Sequence, residues 1–138
     1  MTGIPVLLDT DILSAILRRD PVVIPKAQTY LSTQRQFTFS IITRYEILRG
    51  LKAKNATKQL TAFERFCDAN IVLPLTDEMI IKASDIYAFL KQRGNLIGDA
   101  DILIASTALV NGLPVVTNNL NHFERISELS IQNWLQNE

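Results

Sequence analysis

The run Ile4-Pro5-Val6-Leu7-Leu8, closed by Asp9-Thr10-Asp11, constrains this chain more than any other segment. A strand with one wet face alternates apolar and polar residues, whereas a short unbroken apolar run has no polar side to offer water. Such a run suits a strand buried on both faces, as in a parallel sheet with helices above and below. The carboxylate at its end is costly there unless it is paired or binds a metal.

The rest of the chain repeats the pattern. Residues 36–40 alternate like a short strand that Ile41-Ile42 prolongs, residues 71–75 read as a strand closed by Pro74, residues 113–117 as another buried strand, and 130–132 as a short last one. Between them, apolar residues recur at helical spacing. Helices are expected after Asp11 (Ile12, Leu13, Ile16, Leu17), after Pro25, from Thr43 to about Lys54, over 56–68, over 77–91, and from about Ala100 to a stop at Asn111-Gly112. Alternating strands and helices predict an α/β fold, with a central, mostly parallel sheet of about four to five strands flanked by helices. The unit is expected to span residues 1–138, a length that fits one domain.

Composition removes several function classes. The chain is 47% hydrophobic and 20% charged, which excludes a disordered or low-complexity protein. Lys+Arg and Asp+Glu stand at 14 each, so no strong basic field draws nucleic acid to the whole surface, although an acidic site can offset basic flanks. One cysteine, Cys67, excludes an internal disulfide framework and a cysteine zinc cluster, and one histidine, His122, excludes a multi-histidine metal site. With no signal-peptide pattern and no apolar run long enough for a membrane span, a soluble, cytoplasmic protein is expected.

In sheets of this kind ligands bind beyond the carboxyl ends of the strands. The residues expected there are acidic or amide: Asp9 and Asp11, then Glu46, then Asp99 and Asp101 at the start of a helix, then Asn118 and Asn119. Two residues apart is about 200° on a helix, so Asp99 and Asp101 converge only if Asp99 caps the helix and folds back over its end. Carboxylates sharing a crevice repel until some protonate or a cation neutralises them. An all-oxygen donor set points to Mg²⁺ or Mn²⁺, which can activate water for phosphoryl displacement.

The segments LLDTDILS, TRYEILRG, GDADILIASTALVNGLPVVTNN and NHFERI, in that order, closely resemble the PIN-domain ribonucleases, and more narrowly the VapC toxins of bacterial toxin–antitoxin pairs. The resemblance implies a Mg²⁺-dependent endoribonuclease acting on an RNA substrate, held in check by a cognate VapB-like antitoxin, and often a homodimer. Residue by residue, it places metal-binding acids at Asp9, Glu46 and Asp101, with Asp99 as an accessory acid. The last acidic position of the family falls on Asn119, and Asp11 replaces the commoner asparagine.

Structural explanations compete with these roles. Asp11 suits a helix N-cap, and Thr43-x-x-Glu46 fits a capping box, which the sequence alone does not separate from catalysis. Asp99 could cap, Asp101 could serve the helix dipole, and Asn119 could be a turn residue. His122 reads as a loop or cap residue rather than a general base. The basic run Arg44, Arg49, Lys52, Lys54 and Lys58 reads first as a solvated face and second as an RNA contact. Tyr30, Phe63, Phe66 and Tyr87 read as core or partner interface. Two other functions remain open at this stage. One is a haloacid-dehalogenase-like phosphatase with Asp9 as nucleophile, Asp11 as acid, and Ser40 and Asp99 in support. The other is a binding module without activity.

Overall fold

Consecutive strand residues face opposite ways, and Leu7 and Leu8, neither with exposed surface, enter two different cores. This is seen in a computed structural model that describes residues 3–136; the outermost residues of the expected 1–138 unit lie outside it. The strands are β1 Leu7–Leu8, β2 Thr38–Ser40, β3 Ile71–Leu73, β4 Val115–Val116 and β5 Ile131–Gln132. They form one sheet in the order β3-β2-β1-β4-β5, with every pairing parallel. Seven helices cover it: α1 Thr10–Leu17, α2 Val23–Gln34, α3 Ile41–Ala53, α4 Thr57–Ala69, α5 Asp77–Gln92, α6 Asp99–Val110 and α7 Leu120–Phe123.

One face of the sheet carries Leu8, Phe39 and Val116 under α1, α2, α3 and α4, with Ile12, Tyr30, Ile47 and Phe63 among the buried side chains. The other carries Leu7 and Val115 under α5, α6 and α7, packed by Ile86, Leu90, Ile104 and Phe123. The α/β reading therefore holds, and β1 and β4 are wholly apolar because both faces are covered. Strand β1 is only Leu7–Leu8, however, and Ile4 and Pro5 of the expected 4–8 strand are exposed outside it. Of the four aromatic residues expected in core or interface, Tyr30 and Phe63 are buried and Phe66 packs against the first core, while Tyr87 is exposed. Cys67 is buried, and burial raises its thiol pKa.

Several boundaries differ from the expectation. Ile41 and Ile42 begin α3 rather than prolonging β2, because Ser40 caps that helix through a hydrogen bond from the Thr43 amide to its hydroxyl. Helix α2 starts at Val23, ahead of Pro25, whose missing N–H falls in the first turn where no bond is owed. Strand β3 stops at Leu73, β4 spans only Val115–Val116, and the short helix α7 carries no sequence signal strong enough to anticipate. The Asn111-Gly112 stop stands as expected, with Gly112 at φ 65°. Among the described residues no helix is long and apolar enough to cross a membrane.

The N-terminal approach to β1 is tied down by one buried bond, from the Val6 amide to the Tyr30 hydroxyl oxygen at 3.1 Å. Tyr30→Phe keeps the ring but leaves that amide without a partner. The expected loss is about 1–3 kcal/mol, read as a lower urea midpoint with an unchanged slope. Wild-type stability in this variant would show that the bond does not anchor the strand.

Candidate metal centre

β1 is the strand at which the sheet order reverses: β2 and β3 lie on one side of it, β4 and β5 on the other. Its carboxyl end is the place where this kind of sheet leaves an open crevice. Asp9 is the first residue there, 5% exposed, in extended conformation, and it caps α1. One of its carboxylate oxygens accepts the Thr10 amide at 2.8 Å, and the other accepts the Thr117 hydroxyl at 2.7 Å. Thr117 follows β4 directly, and its own oxygen accepts the Asn119 amide at 2.9 Å.

The cap expected at Asp11 therefore belongs to Asp9, since the helix already begins at Thr10. Asp11 sits in the first turn, where one oxygen accepts the Asn118 amide at 2.9 Å and the other, Oδ1, is buried with no partner. Glu46 is likewise released from its rival role. With Ser40 as the cap, Thr43 occupies the third helical position and Glu46 lies a turn further on, too late for a capping box. Its Oε1 accepts the Thr10 hydroxyl at 2.6 Å, and Thr10 in turn meets the Thr43 hydroxyl at 3.0 Å. Because an ionised carboxylate only accepts, the hydroxyl protons run from Thr43 to Thr10 to Glu46. Arg49 stands 3.7 Å from the other oxygen of Glu46.

Asp101 and Asp99 separate. The cap of α6 is Gly98, so Asp99 is the first helical residue and does not fold back over the helix end. Asp101, in the same first turn, faces the crevice, where its charge raises the pKa values of both Asp9 and Asp11. Asp99 is exposed and lines a groove against Ile80, Ser84 and Tyr87 of α5. The 200° between them keeps them on different sides. Asn119 reaches the site: its amide nitrogen lies 3.3 Å from Asp101 Oδ2. So does His122, read from sequence as peripheral, with Nδ1 2.8 Å from the same oxygen. Its place beside Asp101 depends on the turn into α7, and the sequence signals only the cluster of asparagines before it.

Burial is the first cause that pushes the Asp9 carboxyl up to about 7, and the neighbouring charge of Asp11 adds to it. Asp11 is raised as well, again chiefly by burial. Among the described residues the ion pairs of Lys and Arg are Arg44–Glu64, Arg49–Glu46 and Lys82–Glu128, so no protein cation of that kind offsets Asp9, Asp11 or Asp101. An orphaned buried carboxylate oxygen, uncompensated charge and an all-oxygen donor set fit a hard divalent cation. The acids do not form a closed cage: no group of three His, Cys, Asp or Glu among the described residues is already spaced to hold an ion. That openness suits an ion that keeps several waters and takes one or two carboxylates.

The PIN domain family matches residues 6–129. This chain belongs to that family. A tRNA(fMet)-specific endonuclease VapC of Salmonella typhimurium is 33% identical over 129 residues, 93% of this chain and 96% of that protein. Ribonuclease VapC1 of Methanocaldococcus jannaschii is 39% identical over 93 residues, 67% of this chain and 66% of that protein. Among solved structures, DNA-bound VapBC from Salmonella typhimurium matches with a TM-score of 0.84 at 30% identity, covering 96% of this chain and 99% of that one. The PIN-domain match spans both Glu46 and the VVTNN segment, and the haloacid-dehalogenase reading of Asp9 finds no support. PIN-domain ribonucleases are generally divalent-metal dependent.

Burial of Asp9 in this PIN domain has a consequence for stability. The folded carboxyl keeps its proton to about pH 7, while the ordinary value is 3.8. Between these values the folded state binds the extra proton, so stability declines as pH rises from about 4 to about 7. In metal-free buffer the contribution is on the order of a few kcal/mol. Asp9→Asn is expected to flatten this slope and to raise the melting temperature at pH 8 above that of the wild type. Parallel melting-temperature profiles for the two proteins would refute the burial argument.

Proposed function

We propose that this PIN domain is a Mg²⁺-dependent endoribonuclease, the toxin of a toxin–antitoxin pair, and that Mn²⁺ can replace Mg²⁺. The observation that carries the reading is the convergence of Asp9, Asp11 and Asp101 at the reversal point of the sheet without a lysine or arginine to neutralise them. The names of the VapC relatives support the RNA-cleaving activity, and the VapBC complexes support control by an antitoxin.

When bound, a divalent ion supplies activated water and offsets the charge that builds on the phosphoryl oxygens. Asp9 and Asp101 are the residues that would hold it. Thr117 and the Thr10 amide fix the Asp9 carboxylate from two sides, each oxygen keeping a lone pair that an ion could use. Glu46, oriented by Thr10, would act directly or through a water. Asn119 would order waters around the ion, whereas Asp99, expected as an accessory acid, is turned toward α5 and is left out of this role. The substrate is structured RNA, and a tRNA panel is the first to test because one relative is a tRNA-specific endonuclease.

The antitoxin is expected to present an Arg or Lys to the carboxylates. Its apolar anchor is the groove of about 490 Å³ between α1, α3 and α4, where Leu17, Ile47, Leu51 and Phe66 line the floor and Arg18 and Lys54 stand at the edge. We further read the chain as a cytoplasmic homodimer. The exposed side chains of Ile80, Ile81, Tyr87 and Phe89 on α5 offer an apolar surface for a second copy.

Cleavage of structured RNA is expected to vanish in EDTA and to return with Mg²⁺ or Mn²⁺. A water nucleophile leaves 5′-phosphate and 3′-hydroxyl ends, so 2′,3′-cyclic phosphate products or full activity in EDTA would reject the mechanism. Asp101→Asn is expected to abolish cleavage, by gel assay, while the circular dichroism spectrum stays that of the wild type.

Glu46→Gln tests the remaining acid. Its structural contacts are one hydroxyl bond and a 3.7 Å ion pair to the exposed Arg49, so stability should stay within about 0.5 kcal/mol. Cleavage at saturating RNA should fall by orders of magnitude and recover in part with raised Mn²⁺. Near-normal activity would remove Glu46 from the site.

A further inference from the structure

His122 is the residue near the acidic crevice to which neither the resemblance nor the proposed function gives a task. The backbone that carries its ring is anchored by Phe123, the next residue, which has no exposed surface and is part of the second core. Its Nδ1 lies 2.8 Å from Asp101 Oδ2 and 2.9 Å from the Asn119 side-chain nitrogen, which is itself 3.3 Å from the same carboxylate oxygen.

Three heavy atoms this close restrict where the hydrogen can be. Asp101 Oδ2, as a carboxylate oxygen, only accepts. A lone pair on Nδ1 could take a hydrogen from the Asn119 side-chain nitrogen at 2.9 Å, but it would still set an uncharged lone pair against the Asp101 oxygen at 2.8 Å. Nδ1–H instead makes that shorter contact a charge-assisted bond. Nδ1 therefore carries the hydrogen and donates it to Asp101, whatever the state of the other ring nitrogen. The Asn119 amide donates to the same oxygen from the side. Both donors tie down Oδ2 and leave Oδ1 without a bond to either of them, on a carboxylate whose charge already acts on Asp9 and Asp11. Carboxylates that bind metals are themselves held by such outer hydrogen bonds, and removing one typically lowers metal affinity by about 10–100-fold.

We propose that His122 is a positioning residue: through Nδ1–H it fixes the rotamer of Asp101 and so the direction in which Asp101 offers its free oxygen to the divalent ion. The proposal rests on the reading of Asp101 as a metal-binding acid. His122 touches neither substrate nor ion in this role, and its Nε2 takes no part.

Two measurements test it. In the metal-free protein, long-range ¹H–¹⁵N spectra of the single histidine should show hydrogen on Nδ1. In Asp101→Ala that preference should disappear. A ring with hydrogen only on Nε2 in the wild type overturns the assignment without reference to activity. The second measurement is Mn²⁺ affinity, by calorimetric titration, together with kcat and KM on RNA. His122→Ala should bind Mn²⁺ about 10–100-fold more weakly, with kcat reduced at subsaturating Mn²⁺, restored at high Mn²⁺, and KM for RNA unchanged. His122→Asn places a side-chain N–H near the position of Nδ1 and should recover most of the affinity, whereas His122→Gln mimics Nε2 and should not. Recovery by Gln and not by Asn would move the role to Nε2 and overturn the proposal. Wild-type affinity in His122→Ala would overturn it too, while leaving the metal-dependent nuclease reading intact. A wild-type protein that binds no Mn²⁺ would reject that nuclease reading itself, and His122's role with it.

Discussion

The desolvated carboxylate of Asp9 is the point around which the rest of the site is built. It ends the central strand, 5% exposed, and its first acidic neighbour is two residues away. Bringing an acid there costs free energy that no lysine or arginine among the described ion pairs offsets. What makes the position tolerable is a set of neutral donors, the Thr10 amide and the Thr117 hydroxyl, which hold the carboxylate without cancelling its charge. On the proposed metal-dependent reading, this leaves the crevice open for a cation instead of closing it with an ion pair. A buried salt bridge at the same place would be easier for the fold and useless for metal-dependent chemistry.

The surrounding polar residues form two arms that meet near Asp9. On the α3 side, hydroxyls run from Thr43 to Thr10 to Glu46. On the α6–α7 side, Asn119 and His122 both bear on one oxygen of Asp101. Each arm fixes an acid by a neutral or neutral-capable donor, so the orientation of each acid is set while its charge is kept. The helices that carry these arms are anchored in different cores: Ile47 of α3 under one face of the sheet, and Ile104 and Phe123 under the other. The site therefore lies where both cores must be formed together.

Much of this was legible in the chain itself. The buried strand was readable because a run without polar residues asks to be covered on both sides, although only Leu7–Leu8 of the expected 4–8 form it. Asp9 and Asp101 were readable as strand-end and helix-start acids. The capping assignments were not. Asp11 and Asp9, or Ser40 and Thr43, are interchangeable cap residues by type, and which one caps depends on where the preceding strand lets go of the sheet. The strand ends at Leu8 and Ser40 because the parallel register Leu8↔Phe39 and Ser40↔Leu73 ends there, a property of two partners at once.

Local patterning, then, decided the α/β class, the buried strands and the identity of the acids, since apolar periodicity and residue chemistry are carried by neighbours in sequence. Tertiary structure alone decided which acids meet. Asp99 and Asp101 differ by two positions, yet only Asp101 turns to Asp9, because helix rotation sets their directions and the packing of α6 on the sheet selects one of them. His122 entered the site for the same reason. It lies 21 residues from Asp101, and no local signal reports a contact made by the docking of two helices on one face of a sheet.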